Sequence, residues 1–224
     1  MFTALSNDFG NLGEKLTSFS ALAPIAYLSH TPNTMIHQLA GYWKQIWPVA
    51  STFKIEEIKD PVVDSTMKGF CHVFNSVCVG ISSFLNMESS PYNSQDAEEI
   101  EDYRPDSSAS LKQLIHYAQC ANTGFFREFD YGNDKDNTAH YGSFTIPDID
   151  LGKITQIPVG LFVGKEDDLG SPADTRIVKE KIGRADFYKE YDNMDHYSFQ
   201  IGKDMSYIHD LMDFLKKTGT PPTQ

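Results

Sequence analysis

The stretch "QIPVGLFVG", residues 156–164, constrains the fold more than any other part of the chain. It is a continuous apolar run without the polar alternation of a half-exposed strand, so it predicts a strand buried on both faces. Strands of that kind belong to parallel sheets, where a crossover helix must precede the next strand. That helix is legible in "SPADTRIVKEKIG", residues 171–183. Ser171 stands at the N-cap, Pro172 at the first helical position and Gly183 at the stop. "ADFYKEY" (185–191) reads as the next strand and "KDMSYIHDLMDFLKK" (203–217) as a closing amphipathic helix.

The same rhythm is fainter near the N-terminus. Phe2, Leu5, Phe9 and Leu12 recur at helical spacing before Gly13 and predict a short helix over 2–15. "TSFSALAPIA" (17–26) predicts a buried strand ended by Pro24. From about 33 to 127 the texture changes. "TMIHQLAGYWKQIWP", "STMKGFCHVFNSVCVGISSFL" and "SASLKQLIHYAQCANTGFF" predict apolar-striped helices, separated by Pro48, Pro61 and the acidic stretch Gln95–Asp106. No strand signal occurs there. The chain therefore reads as α/β, with a small parallel sheet from 17–26, 156–164 and 185–191 interrupted by a helical insertion.

The balance of 19 basic against 31 acidic residues, a formal net charge of −12, disfavours nucleic acid as a partner, because phosphates need a basic face. No apolar run approaches the length of a membrane span, so no transmembrane segment is expected. Cys71, Cys78 and Cys120 are too few, and wrongly spaced, for a disulfide framework or a zinc site. HExxH, CxxC and Gly-rich phosphate loops are all missing, so neither metal nor cofactor is expected. The opening "MFTALSNDFGNLGEK" lacks the features of a signal peptide.

Groups that act chemically in parallel α/β sheets sit at the carboxyl ends of strands. "KEDDLGSPAD" follows the strand 156–164, and "DNMDHYSF" follows 185–191. The first offers Asp167 or Asp168, the second His196. A carboxylate bonded to one imidazole nitrogen fixes the ring's tautomer, leaving the other nitrogen to take a nucleophile's proton. The plainer alternative is that the acid solvates a loop and His196 is one histidine among seven. His116 falls on a helical apolar stripe and reads as packing; His30 and His140 read as loop residues; His72 is too close to Cys71 to be oriented by it. Tyr42, Trp43, Trp47 and Phe53 read as core, or as a surface facing an apolar ligand.

Several separate motifs, in order, resemble the acid lipases, the α/β-hydrolases that include gastric and lysosomal acid lipase. "FSALAPIAYLSH" resembles a stretch shortly after the family's nucleophile. "SLKQLIHYAQCANTGFFREFDYG" is similar to the segment leaving its cap, "IPVGLFVGKEDDLGSPAD" to the strand and loop of its triad acid, and "DNMDHYSF" to the loop of its triad histidine. The resemblance implies a partial α/β-hydrolase fold of about three parallel strands (residues 1–30 and 141–224) plus an inserted helical cap, or lid (31–140). Asp167 matches the acid, with Asp174 where the family repeats an aspartate, and His196 matches the base. Gly170 replaces a usual alanine, and Cys71 matches a half-cystine whose partner position is not cysteine.

That order requires a serine on a G-x-S-x-G elbow before the acid. No such motif occurs in residues 1–224; "GISSF" and "YGSF" do not fit it. By the resemblance the elbow falls just before Met1. The expectation is therefore the C-terminal part of a carboxylic-ester hydrolase acting on triacylglycerols or sterol esters, completed by an N-terminal half in cis or in trans. By the same resemblance the compartment is lysosomal or secreted if a signal peptide lies upstream. The competing expectation is a non-catalytic lipid-binding or interaction module derived from a lipase. Without its neighbour, the strand 17–26 is expected to form an open edge, and Val159, Leu161 and Phe162 to lose cover.

Overall fold

The computed structural model describes residues 1–52, 54–58, 72, 90–96 and 109–219. Most of the helix expected over 65–85, Cys71, Cys78, Phe53 and residues 97–106 of the acidic stretch lie outside the described residues. In chain order the elements are α1 (Phe2–Ser6), α2 (Leu12–Lys15), β1 (Phe19–Leu22), α3 (Thr34–Thr52), β2 (Glu57–Ile58) and β3 (Ala109–Ser110). There follow α4 (Leu111–Thr123), α5 (Asp134–Tyr141), a 3-10 turn (Leu151–Lys153), β4 (Val159–Gly164), α6 (Pro172–Lys181), β5 (Phe187–Tyr191), α7 (Ser198–Ile201) and α8 (Tyr207–Thr218). The chain divides into two compact units: Met1–Thr31, Tyr92–Ser94 and Ile149–Gln224 form the first, Pro32–Pro91 and Gln95–Asp148 the second.

The first unit is built on a parallel sheet in the order β1-β4-β5. Central β4 is buried along its whole length, as its unbroken apolar run requires. Residues in register on parallel strands share a face, so Gly160 and Phe162 lie with Phe187 and Lys189, and Leu161 and Val163 with Tyr188 and Glu190. Helix α8 covers the first face: Phe214 meets Phe162 edge-on at 6.4 Å, and Asp210 accepts from Lys189 Nζ (2.6 Å) and the Tyr191 hydroxyl (2.9 Å). Helix α6 covers the second, through a two-pronged Arg176–Glu190 pair (2.8 and 2.7 Å) and Lys179 above the Tyr188 ring. Helix α1 joins that second face through Phe2, edge-on to Phe19 at 5.3 Å. Helices on both faces of a parallel sheet make this an α/β arrangement.

The expected helix over 2–15 is corrected to two short helices. Asp8, Gly10 and Asn11 all adopt left-handed backbone, at φ of 46°, 64° and 56°, which breaks the spiral, and Phe9 of the presumed stripe is exposed. The expected loss of cover over β4 is also overturned. Val159, Leu161 and Phe162 are each fully buried because α6 and α8 cover the sheet. Among the described residues β1 pairs only with β4, so its other edge is open.

In the second unit α3 and α4 pack together through apolar stripes, Met35, Ile36, Leu39, Trp43 and Ile46 on α3 and Leu111, Leu114, Ile115 and Ala118 on α4. Trp43 is buried in the core, Trp47 is half-buried and packs edge-on against Phe129 at 4.7 Å, and Tyr42 is exposed. Pro48 does not end the helix. It sits in the last turns of α3, where it forfeits one backbone bond, and the Ser51 and Thr52 hydroxyls use its carbonyl. The insertion also contains a strand pair, β2 with β3, antiparallel through Glu57–Ser110 and Ile58–Ala109, where no strand was expected. Helix α5 holds His140, read above as a loop residue; Asn133 caps it and Gly142 ends it at φ 70°.

Candidate functional site

Loops from the carboxyl ends of β1, β4 and β5 converge in the first unit. Gly164, the last residue of β4, makes this convergence possible. A Cβ there would stand 2.4 Å from the Met194 carbonyl oxygen, closer than any side chain tolerates. The loops are then laced by main chain: Lys165 N–H donates to Tyr191 O and Glu166 N–H to Met194 O, both at 3.0 Å. Asn193 turns the histidine loop through φ 56°, a conformation asparagine accepts readily.

Asp167 is buried in this weave. Its Oδ1 accepts the backbone N–H groups of Leu169 (2.8 Å) and Gly170 (2.7 Å), which fix the carboxylate plane. Its Oδ2 faces His196 Nδ1 at 3.0 Å. The structure thus brings together the two site residues read from the sequence, and Asp168 is not the partner. The carboxylate is fully buried and the imidazole 23% exposed, so the ring reaches solvent from an interior anchor. Burial disfavours the charged ring. The hydrogen bond and charge of Asp167, with the charges of Asp168 and Asp195, outweigh it and raise the His196 pKa above its usual value. Among the described residues Nε2 has no hydrogen-bond partner.

A second carboxylate–imidazole pair, not singled out in the sequence, stands beside the first. Asp174, buried at the start of α6, accepts from His30 N–H (2.9 Å) and the Ser171 hydroxyl (3.0 Å), and His30 Nδ1 lies 2.9 Å from it. It ties the loop after β1 to α6, and the Thr31 hydroxyl adds a bond to the Asp168 carbonyl. Ala23, in left-handed backbone at φ 48°, opens that loop at a cost of about 1–2 kcal/mol. Gly170 fits against it: a Cβ at 170 would lie 3.1 Å from both Ala23 O and Asp167 Oδ2.

Asn93 was also missed. It belongs to the first unit and is buried, with Oδ1 3.0 Å from the Ser198 hydroxyl. Two of the other histidines are engaged elsewhere. His116 bonds the Arg127 carbonyl at 2.5 Å and His140 stacks on Tyr131 at 3.8 Å, both within the second unit. Ser198 is fully buried and committed to Asp195 and Asn93, which rules it out as an exposed nucleophile. Cys120 is buried in α4, its thiol pushed up to about 11 by burial and therefore unreactive at neutral pH. No group of histidine, cysteine and carboxylate fit to hold a metal occurs among the described residues.

Comparison with known proteins follows the same lines. The chain is 28% identical over 215 residues to a tear acid lipase-like protein of Mesocricetus auratus, covering 93% of this chain and 52% of the relative. Against lipase member K of Mus musculus the identity is 26% over 198 residues (86% and 48%). Against gastric triacylglycerol lipase of Rattus norvegicus it is 24% over 205 residues (84% and 48%). Its curated homologues are lipase family members. The chain spans about half the length of these lipases. No family model matches. Among solved structures, the monoacylglycerol lipase of Paleococcus ferrophilus and a soluble variant of the monoglyceride lipase of Saccharomyces cerevisiae each superpose with a TM-score of 0.52 at 14% identity. They cover 97% of this chain and 65% and 62% of those chains. The fold is that of the α/β-hydrolases, in part.

Proposed function

We propose that this chain is the acid–histidine part of a lipase-like carboxylic-ester hydrolase acting on triacylglycerols or sterol esters. The observation that carries the reading is the Asp167 Oδ2–His196 Nδ1 bond, formed at the carboxyl ends of adjacent parallel strands in a chain whose relatives are lipases. Asp167 holds the ring as the Nδ1–H tautomer and stabilises the imidazolium; Nε2 is the base. The nucleophile is a serine contributed from outside residues 1–224, on a G-x-S-x-G elbow, in cis or in trans. Its hydroxyl proton passes to Nε2 as oxygen bonds to the ester carbonyl carbon. The imidazolium returns that proton to the leaving alcohol, and water repeats the cycle on the acyl group. The raised His196 pKa sets the acidic limb, since the base must be deprotonated and the rate falls as pH drops through that value.

In the same reading residues 31–140 are the cap, with Tyr42 and Phe125 exposed on it. The test is hydrolysis of a short-chain activated ester by a polypeptide joining this chain to an upstream half that carries the elbow. His196→Ala abolishes turnover if the reading holds. Turnover that survives His196→Ala removes Nε2 from the mechanism. Turnover by residues 1–224 alone would mean that the nucleophile lies elsewhere.

A further inference from the structure

The histidine loop is held from a part of the chain distant in sequence. Residues Tyr92–Ser94 belong to the first unit although the residues on both sides of them belong to the second. They run antiparallel to the end of α7: Ser94 N–H donates to Ile201 O (2.7 Å), Lys203 N–H to Tyr92 O (2.9 Å), and Asn93 opposes Gly202. This places the Asn93 side chain, 3% exposed, against the turn that presents His196.

That turn is organised by Asp195. Its Oδ1 accepts from Tyr197 N–H (3.0 Å), Ser198 N–H (2.9 Å) and the Ser198 hydroxyl (2.8 Å), while Asp195 N–H donates back to Ser198 Oγ (3.0 Å). These bonds close a ring around His196, which lies between the two residues that make it. The Ser198 hydroxyl has one proton and two acceptors in reach, Asp195 Oδ1 and Asn93 Oδ1 at 3.0 Å. The amide of Asn93 completes the arrangement, its Nδ2 facing Asp195 Oδ2 at 3.5 Å. Asn93 and Ser198 are buried, Asp195 is half-buried, and Asn93 is bonded to both of the other two.

We infer that Asn93 is a positioning residue, and that the strap 92–94 sets the orientation of the His196 imidazole through Ser198 and Asp195. The inference concerns the state of the ring, so it stands apart from whether ester hydrolysis is the chemistry. Without Asn93 the Asp195–Ser198 ring keeps its own bonds but loses its side-chain anchor to the strap, so the turn can shift as a unit. His196 Nδ1 would then lose its alignment with an acid that cannot follow, because two backbone amides pin Asp167.

The test is nuclear magnetic resonance of the full chain, without substrate, with ring-labelled histidine. In Asn93→Ala the downfield Nδ1 proton of His196 broadens or vanishes, and its titration midpoint falls toward the ordinary histidine value of about 6.5. Ser198→Ala gives the same change, and the double variant adds little. A variant with a lowered melting temperature but an unmoved midpoint and Nδ1 proton would reduce Asn93 to packing and overturn the inference. Hydrogen exchange of the unmodified chain needs no variant to fold. The amides of Ser94 and Lys203 report the strap, those of Tyr197 and Ser198 the turn, and the inference requires matching protection. Turn amides that stay protected while strap amides exchange freely overturn it.

Discussion

Gly164→Ala tests how tightly the fold sets the site. A Cβ at this position would meet the Met194 carbonyl oxygen at 2.4 Å, its carbon at 2.9 Å and the Asp195 oxygen at 3.2 Å, where ordinary contact begins at 3.4 Å. These obstacles are backbone, so no side chain can swing aside. The end of β4 and the histidine loop must separate by about 1 Å to recover normal van der Waals distance. The same displacement stretches the Glu166–Met194 bond, now 3.0 Å, and draws His196 Nδ1 away from Asp167 Oδ2, also at 3.0 Å. Overpacking of this kind costs about 1–3 kcal/mol, and for a chain of this size lowers the melting temperature by about 2–12 °C. Thermal melting followed by circular dichroism reads the stability, and the His196 Nδ1 proton reads the geometry. Both must move together. An unchanged melting temperature would show that the loops are not in the contact described, and a destabilised protein with His196 unaltered would show that the contact does not position the ring.

Asp167→Asn removes the charge that holds the His196 pKa up. The stabilisation linked to that raised value, present below about pH 6.5 and lost as pH rises through the folded-state pKa, should disappear from the pH dependence of melting. In a polypeptide bearing the nucleophile the same change should cost about 10⁴ in turnover by analogy with serine-protease triads. A near-normal rate would separate the acid from the chemistry. Asp174→Ala strands the Ser171 hydroxyl and the His30 main-chain N–H and should destabilise by about 1–3 kcal/mol in urea melts; no change would show that the loop after β1 is held by other bonds. The Arg176 hydrogen bond holds the Glu190 carboxyl below its usual range, so the pair stabilises above about pH 4.3 and is lost as pH falls further. Glu190→Gln should flatten that acid limb of the melting profile, and an unaltered limb would assign it to other carboxylates. The open edge of β1, with Leu22 37% exposed, predicts concentration-dependent association in sedimentation. Leu22→Lys should weaken it, and a monodisperse chain at all concentrations would contradict an available edge.

The legible part of the fold was the part in which local sequence and tertiary environment agree. Strand β4 is apolar on both faces because helices cover both faces, and α6 announces itself through Ser171 and Pro172. Helix α5, "DKDNTAHY", has no apolar stripe, and only its end signals, Asn133 and Gly142, mark it in the sequence. The turn at Asp8–Asn11 interrupts an apolar period because the left-handed preference of Asp, Gly and Asn outweighs the stripe there. In the site, Asp167 and His196 were readable because each follows a strand by a few residues. Asn93 and His30 were not, since their roles come from pairings across more than a hundred residues with no local pattern to mark them.

The protonation state of the His196 ring tests the central claim most directly. Nitrogen chemical shifts of the imidazole, followed through a pH titration of the full chain, report which nitrogen carries the proton and where the ring charges. The account predicts the Nδ1–H tautomer at high pH, a midpoint above the usual histidine value of about 6.5, and loss of both features in Asp167→Asn. An Nε2–H tautomer, or an ordinary midpoint indifferent to Asp167, would contradict it.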